Sequence, residues 1–173
     1  NDKAIDFFTN FIDKYPYSIA AWYNLGIAYN LSGLFEKSVE AFDYAIAIDK
    51  NFTSAYFNKG TSLICLEKYE EAIDVFNESA AIDSTDPYVY YYLGECYEKL
   101  NDYTTAITFY KKSVNLNPKF PDALAGLGSA FEELGKNKEA LSYLMKAVEA
   151  DPLNSEYWYM LADIQYTIDM ISE

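Results

Sequence analysis

The sequence predicts an all-α fold made of helix pairs that repeat along the chain, and three observations predict it. Four glycines recur at an interval of 34 residues, which is typical of arrays of helical hairpins. Large apolar residues recur at helical spacing around each glycine. A second segment of each unit carries a small residue with a bulky residue four positions later. The recurring glycines are Gly26, Gly60, Gly94 and Gly128.

The first segment of each unit is a predicted helix with a large residue on either side of its glycine. Trp22 recurs as Tyr56, Tyr90, Leu124 and Trp158, and Tyr29 recurs as Leu63, Tyr97 and Phe131. The second segment pairs Ser38, Ala72, Ala106 and Ala140 with Phe42, Phe76, Tyr110 and Leu144. Small residues let two helix axes approach closely, and bulky neighbours fill the grooves beside them.

Turn residues place the helix boundaries. Gly33 and Gly135 end first helices, because glycine takes the left-handed conformation at no steric cost. Pro87 and Pro121 suit first helical turns. Taken in order, the predicted helices cover about 2–14, 19–32, 35–48, 53–66, 69–82, 87–100, 103–116, 121–134, 137–150 and 155–169.

The repeated residues resemble the tetratricopeptide repeat. The resemblance is carried by Trp22, Leu25-Gly26, Tyr29, Phe42, Ala45 and the closing prolines Pro118 and Pro152. It extends over nearly the whole chain without an insertion. It implies a right-handed superhelical solenoid of antiparallel helix pairs, in which the first helices line a concave groove that holds peptides or helices of a partner.

The 34-residue interval divides the chain into six segments. Residues 1–18 are predicted to be the second helix of a truncated repeat, and residues 155–173 the first helix of a further repeat or a capping helix. We therefore expect a fragment of a longer array. The four complete repeats are predicted at 19–52, 53–86, 87–120 and 121–154.

The composition is strongly acidic, with 27 aspartates and glutamates against 13 lysines and a formal net charge of −14. This charge disfavours nucleic acid, which is bound by neutralising phosphates. It favours a basic protein partner, although a solvated surface that keeps the array soluble is the alternative explanation. Membrane insertion is not expected, because no apolar run approaches 18 residues. A cytoplasmic location is favoured.

The sequence contains no histidine, so the commonest general base and metal ligand is missing. No catalytic dyad of serine or cysteine with histidine can form. The two cysteines, Cys65 and Cys96, are expected to be free thiols within helices. We expect no enzyme activity, no catalytic residue, no cofactor and no metal site.

The tetratricopeptide resemblance also implies which residues line the groove. The first two repeats contribute mainly aromatic, aliphatic and amide side chains, which suit apolar anchors. The next two add acids, which suit lysine or arginine on a partner. The predicted groove residues are Tyr23, Asn24, Ile27, Phe57, Asn58, Thr61, Tyr88, Tyr91, Tyr92, Glu95, Glu98, Asp122 and Glu132, with Ser129 beside them.

Some members of the family grip the C-terminal carboxylate of chaperones with lysines, an arginine and asparagines on this face. The matching positions here are Tyr23, Ile27, Asn58, Tyr88 and Tyr92, so only the asparagine is retained. None of these five positions carries a cation that could pair with a carboxylate. The sequence therefore argues against such a clamp. Asn24 and Asn58 are either donors to a peptide backbone or ordinary polar groove residues.

The function predicted from the sequence is a non-enzymatic scaffold that binds a peptide or helical segment of a partner protein in its groove. Two alternatives remain open. One is an assembly module that self-associates through exposed end helices. The other is a docking or regulatory part of a larger enzyme or sensor.

Overall fold

The computed structural model describes residues 2–172 and the side chains of residues 2–170. Asn1 and Glu173, which belong to the predicted end segments 1–18 and 155–173, lie outside the described residues. The described residues form ten α-helices and no strand, which confirms the all-α prediction. The helices are α1 Asp2–Lys14, α2 Ile19–Asn30, α3 Phe35–Ile48, α4 Thr53–Cys65, α5 Tyr69–Ile82, α6 Pro87–Lys99, α7 Tyr103–Leu116, α8 Pro121–Glu133, α9 Asn137–Ala150 and α10 Ser155–Ser172.

The helices group into two compact units that divide between Ser84 and Thr85. In unit 1, α2 pairs with α3 and α4 with α5, while α1 packs against α2. In unit 2, α6 pairs with α7 and α8 with α9, and α10 packs against α9. Each unit is therefore built from the helix pairs that the 34-residue interval predicts.

The recurring glycines lie where a first helix crosses its second helix. A Cβ atom added to Gly26 would lie 2.6 Å from the Phe42 ring, and one added to Gly94 would lie 2.6 Å from the Tyr110 ring. Gly60 meets Phe76 and Gly128 meets Leu144 in the same way, each at 2.5 Å. Atoms this close must move apart. The glycines are thus required for the helix spacing, as the sequence predicts.

The turns inside the helix pairs need a left-handed residue at one position. This residue is Gly33, Glu67, Asn101 or Gly135, with φ between 58° and 72°. In each turn the next backbone N–H bonds back to the first helix, as Lys68 N does to Leu63 O at 2.9 Å. Because these turns begin early, the first helices end one or two residues sooner than predicted. α10 instead continues to residue 172, past the predicted end at 169.

Each unit has its own buried core. Ile12, Leu25 and Phe42 belong to the core of unit 1, and Leu124, Leu144 and Ile164 to that of unit 2. Four serines are also buried, and none of the described buried side chains has an unpaired polar atom. Cys65 is exposed and Cys96 is buried, and both are free thiols.

Candidate partner-binding surface

In unit 1, the predicted groove residues lie on the adjacent first helices α2 and α4. The Tyr23 ring packs between Phe42 and Phe52, with ring centroids 5.8 and 4.9 Å away. Phe57 meets Phe76 edge-on at 6.1 Å. These aromatic side chains are therefore half-buried parts of the core that also reach the surface.

The polar groove residues of unit 1 are bonded mainly to their own helices. Asn24 Nδ2 donates to Ala20 O at 2.7 Å. Asn58 Nδ2 donates to Ser54 O at 2.8 Å and to the Tyr23 hydroxyl at 3.1 Å. Since a carboxamide nitrogen has two hydrogens, that of Asn58 is fully used. Its Oδ1 remains as the group that could accept a backbone N–H of a bound segment.

Thr61 and Ile27 complete the predicted set in unit 1. Thr61 Oγ1 donates to the backbone oxygen of Asn58 at 2.9 Å. Ile27 is half-buried and packs against the core around Phe42. This part of the surface is therefore mostly apolar and has few free hydrogen-bond donors.

In unit 2, the predicted tyrosines of α6 cluster near the start of α8. Tyr88 is half exposed and packs against Phe120, with ring centroids 4.8 Å apart. The Tyr91 ring lies 5.3 Å from Phe120, 5.0 Å from Tyr92 and 5.9 Å from Tyr110. The aromatic cluster forms one wall of the surface.

Beside this wall lies a cavity of about 290 Å³ between first helices of unit 2. It is lined by four of the predicted groove residues, and most of its charges are acidic. The lining is Tyr91, Glu95, Glu98, Lys99, Tyr110, Asp122, Ala125, Gly126, Ser129, Glu156, Tyr157 and Met160. The structure thus brings the predicted acids Glu95, Glu98 and Asp122 together.

Two of the three predicted acids in the cavity already accept hydrogen bonds from hydroxyl groups. Glu98 Oε2 accepts from the Tyr110 hydroxyl at 2.5 Å, and Glu98 Oε1 accepts from Ser129 Oγ at 2.8 Å. Asp122 accepts from the Tyr157 hydroxyl. Burial raises the pKa of Tyr110 and Tyr157 far above the ordinary value, and the neighbouring carboxylates add to the effect. These hydroxyls therefore remain protonated donors.

Glu95 is the third predicted acid in the cavity. Burial raises the pKa of its carboxyl group above the ordinary value, and the charges of Glu98 and Asp122 raise it further. Lys99 on the next turn of α6 acts in the opposite direction. A carboxylate in this position would gain from an added positive charge.

Glu132 does not line this cavity. It lies further along α8, where burial and then the charge of Asp163 raise the pKa of its carboxyl group. The structure therefore separates Glu132 from the other predicted acids, and a role in binding stays a prediction for each of them.

Sequence reasoning missed Tyr110 and Tyr157 as members of this surface. Tyr110 belongs to a second helix, and its place in the repeat predicts a core position, where it is only 2% exposed. A signal was present in both cases. Tyr110 is the one bulky second-helix residue in its series with a hydroxyl group, and Tyr157 follows Asp122 by 35 residues, as Asn58 follows Tyr23.

Other kinds of site are not evident in the described part of the chain. Cysteine, aspartate and glutamate side chains there form no group of three or more that could hold a metal ion. No helix among the described residues has both the length and the apolar character needed to cross a membrane.

Sequence profiles of known families match most of the chain. Two profiles described as the tetratricopeptide repeat match residues 19–52 and 99–164, and one described as the TPR repeat matches residues 62–101. The chain belongs to the tetratricopeptide repeat family. Its fold is that of a protein–protein interaction scaffold. No curated protein sequence matches it.

Solved tetratricopeptide structures are similar over nearly the whole chain. MamA is 26% identical with a TM-score of 0.83, covering 90% of this chain and 91% of MamA. MamA from Desulfovibrio magneticus RS-1 is 23% identical with a TM-score of 0.82, covering 87% and 85%. YrrB, described as a TPR protein with an unusual peptide-binding site, is 23% identical with a TM-score of 0.75, covering 94% and 84%.

Proposed function

We propose that this tetratricopeptide repeat protein is a non-enzymatic scaffold that binds a peptide or helical segment of a partner on the surface of its first helices. The cavity of unit 2 takes a basic side chain of that segment. The aromatic and aliphatic residues of unit 1 form a separate surface that suits apolar side chains of a partner. The proposal rests chiefly on the chemistry of the cavity.

The lining of the cavity is rich in hydrogen-bond acceptors, and its donors include the Tyr91 hydroxyl group and the Lys99 ammonium group. The hydroxyl hydrogens of Tyr110, Ser129 and Tyr157 are all directed to carboxylates of the protein. Among the lining residues of the cavity, Lys99 is the one cation. The ligand group that suits such a lining is itself a donor with positive charge, as in lysine or arginine. The net charge of −14 also attracts a basic segment over a longer range.

The surface of unit 1 supports a different contribution. Tyr23, Phe57 and Ile27 reach the surface while their bodies are held by the core. Rigid aromatic residues supply contact area at a low cost in conformational entropy. The similarity in fold to YrrB, which is described as peptide-binding, supports a peptide or an extended segment as the ligand.

A direct binding measurement tests the proposal. The probe is a labelled peptide with leucines and lysines, and its counterpart has glutamine at every lysine. We expect the lysine peptide to bind roughly tenfold more tightly at low salt, which corresponds to about 1.4 kcal/mol. This preference should shrink at high salt, because exposed charges are then screened. Fluorescence anisotropy gives both affinities.

Variants locate the site. Glu95→Gln combined with Asp122→Asn should reduce the preference for the lysine peptide. Glu139→Gln is the matched control, because Glu139 is an exposed acid at the start of the second helix α9. If the two peptides bind equally at every salt concentration, the acidic cavity has no role in binding. If neither peptide binds, the proposed partner chemistry of lysines with apolar anchors is wrong.

A second candidate function is self-association through the end helices. α1 exposes Phe7 and Phe11, and Tyr15 follows the end of this helix; the three side chains are 61%, 37% and 57% exposed. On α10, Trp158 and Tyr159 are 51% and 72% exposed. Phe11 also departs from the repeat, since the equivalent residues are small and buried. Those residues are Ala45, Ser79, Ser113 and Ala147.

Sedimentation velocity at several concentrations tests self-association. If the exposed rings pair between molecules, the mean mass rises with concentration, and Phe7→Lys lowers it. Leu153→Lys is the control, because Leu153 is 94% exposed in a turn outside α1. A monomer at every concentration would rule this candidate out.

A further inference from the structure

We propose that Tyr110 is a positioning residue for partner binding: with Ser129, it holds the Glu98 carboxylate in one orientation at the cavity of unit 2. A residue of the core would thereby set the strength with which the cavity holds a cation. This inference rests on the proposed function, because it assumes that a cationic side chain enters the cavity.

The hydroxyl group of Tyr110 is not needed for core packing. The equivalent second-helix positions carry Phe42, Phe76 and Leu144, each packed against the glycine of its first helix. Tyr110 packs against Gly94 in the same way. The ring therefore serves the core as a phenylalanine would, and the hydroxyl group is an addition that needs another explanation.

A second glycine leaves room for this hydroxyl group. A Cβ atom added to Gly126 of α8 would lie 2.6 Å from Tyr110 Cζ, the ring carbon that bears the oxygen. The residues at the equivalent positions of the other first helices are larger. They are Asn24, Asn58, Tyr92 and Met160. The extra glycine and the extra hydroxyl group thus occur together, at one contact between α7 and α8.

The hydroxyl group reaches from the core to the cavity. It donates to Glu98 Oε2 at 2.5 Å, while Ser129 Oγ donates to Oε1 at 2.8 Å. Both oxygens of the carboxylate are therefore tied, one to a second helix and one to a neighbouring first helix. Tyr110 is 2% exposed, so its ring cannot turn away without disturbing the core.

A carboxylate that is fixed in advance binds a cation more tightly than a mobile one, because less side-chain freedom is lost on binding. Removing the Tyr110 hydroxyl group would free one oxygen of Glu98. We expect the affinity for the lysine peptide to fall roughly threefold to tenfold, with little change for the glutamine peptide.

The test is the substitution Tyr110→Phe, for which the chain contains its own precedents in Phe42 and Phe76. The affinities for the lysine and glutamine peptides are measured for the native chain and the variant at low and high salt, with thermal melts of both. A role confined to folding would weaken both peptides alike. A positioning role lowers the preference for lysine and its salt dependence.

Two further variants make the result specific to Glu98. Ser129→Ala removes the other hydroxyl donor and should act in the same direction. In a Glu98→Gln background, Tyr110→Phe should have little further effect on the lysine preference, because the group that it positions has lost its charge.

The outcomes separate the two proposals. A native chain that does not prefer the lysine peptide overturns the basic partner chemistry, and this inference with it. A native preference that Tyr110→Phe leaves unchanged overturns this inference alone. So does a loss of preference that is equally large in the Glu98→Gln background, since Tyr110 would then act by another route.

Discussion

Unit 1 and unit 2 place the same kind of contact beneath their surfaces and use it differently. In unit 1 the glycines Gly26 and Gly60 meet phenylalanine rings that end in carbon. In unit 2 Gly94 meets Tyr110, whose hydroxyl group continues to the Glu98 carboxylate. Both units therefore pack a glycine against a second-helix ring, but in unit 2 this ring also bonds to a carboxylate at the surface.

The surface of unit 2 is also more acidic than that of unit 1. Where unit 1 has Ile27 and Thr61, unit 2 has Glu95 and Ser129. Hydrogen bonds between neighbouring first helices join an amide to a hydroxyl in unit 1 and hydroxyls to carboxylates in unit 2. The repeat therefore constrains the residues that set helix spacing and leaves the surface residues free to differ between repeats.

The largest effect is expected from filling the shared contact in each unit. Gly60→Leu in unit 1 and Gly94→Leu in unit 2 should each lower the free energy of unfolding by roughly 1–3 kcal/mol, because the added side chain overpacks the helix crossing. Similar losses would show that the two units obey one packing rule. Urea denaturation measures both.

Matched controls use exposed helical alanines, Ala47→Leu in unit 1 and Ala162→Leu in unit 2. These should change the free energy of unfolding by no more than about 0.5 kcal/mol. Unchanged denaturation midpoints for the two glycine variants would show that the glycines do not set the helix spacing.

Periodic core positions could be predicted from the sequence, and side-chain reach could not. The glycine contacts with Phe42, Phe76 and Leu144 follow from spacing alone, because every repeat places the same positions together. The bond from Tyr110 to Glu98 depends on where the end of a long side chain lies, which periodicity does not specify.

The left-handed turn residues show a second limit of the sequence. The turns at Gly33 and Gly135 can be predicted, because glycine adopts positive φ without a steric cost. Glu67 occupies the same position with φ of 58°, and nothing in a glutamate predicts this. Its conformation is imposed by the helices on either side.

A medium effect is expected at these turns. Glu67→Gly in unit 1 should raise the free energy of unfolding by about 0.5–1 kcal/mol, because glycine removes the steric cost of positive φ. Asn101→Gly in unit 2 should give a smaller gain, since asparagine tolerates this conformation better. Thermal or urea denaturation gives the order. An equal or larger gain for Asn101→Gly would contradict this account of the turns.

The smallest effect is expected from the pH dependence of stability that Glu95 causes in unit 2. The equivalent residues of unit 1, Ile27 and Thr61, do not titrate. The pKa of Glu95 in the folded chain is raised, first by burial and then by the charges of Glu98 and Asp122. The folded state therefore binds the proton more readily than the unfolded state. The contribution of Glu95 to stability falls as pH rises from the ordinary pKa of glutamate to the raised pKa in the folded chain.

Glu95→Gln removes this titration. The variant should be more stable than the native chain above the raised pKa, and the difference should shrink as pH falls toward the ordinary glutamate value of about 4.3. Glu139→Gln, an exposed acid on α9, is the control and should show no such trend. Urea denaturation across this pH range provides the comparison. If the free energies of unfolding of the native chain and Glu95→Gln change with pH in parallel, the pKa of Glu95 is not raised in the folded chain. A cation beside that carboxylate would then bring the cavity no gain.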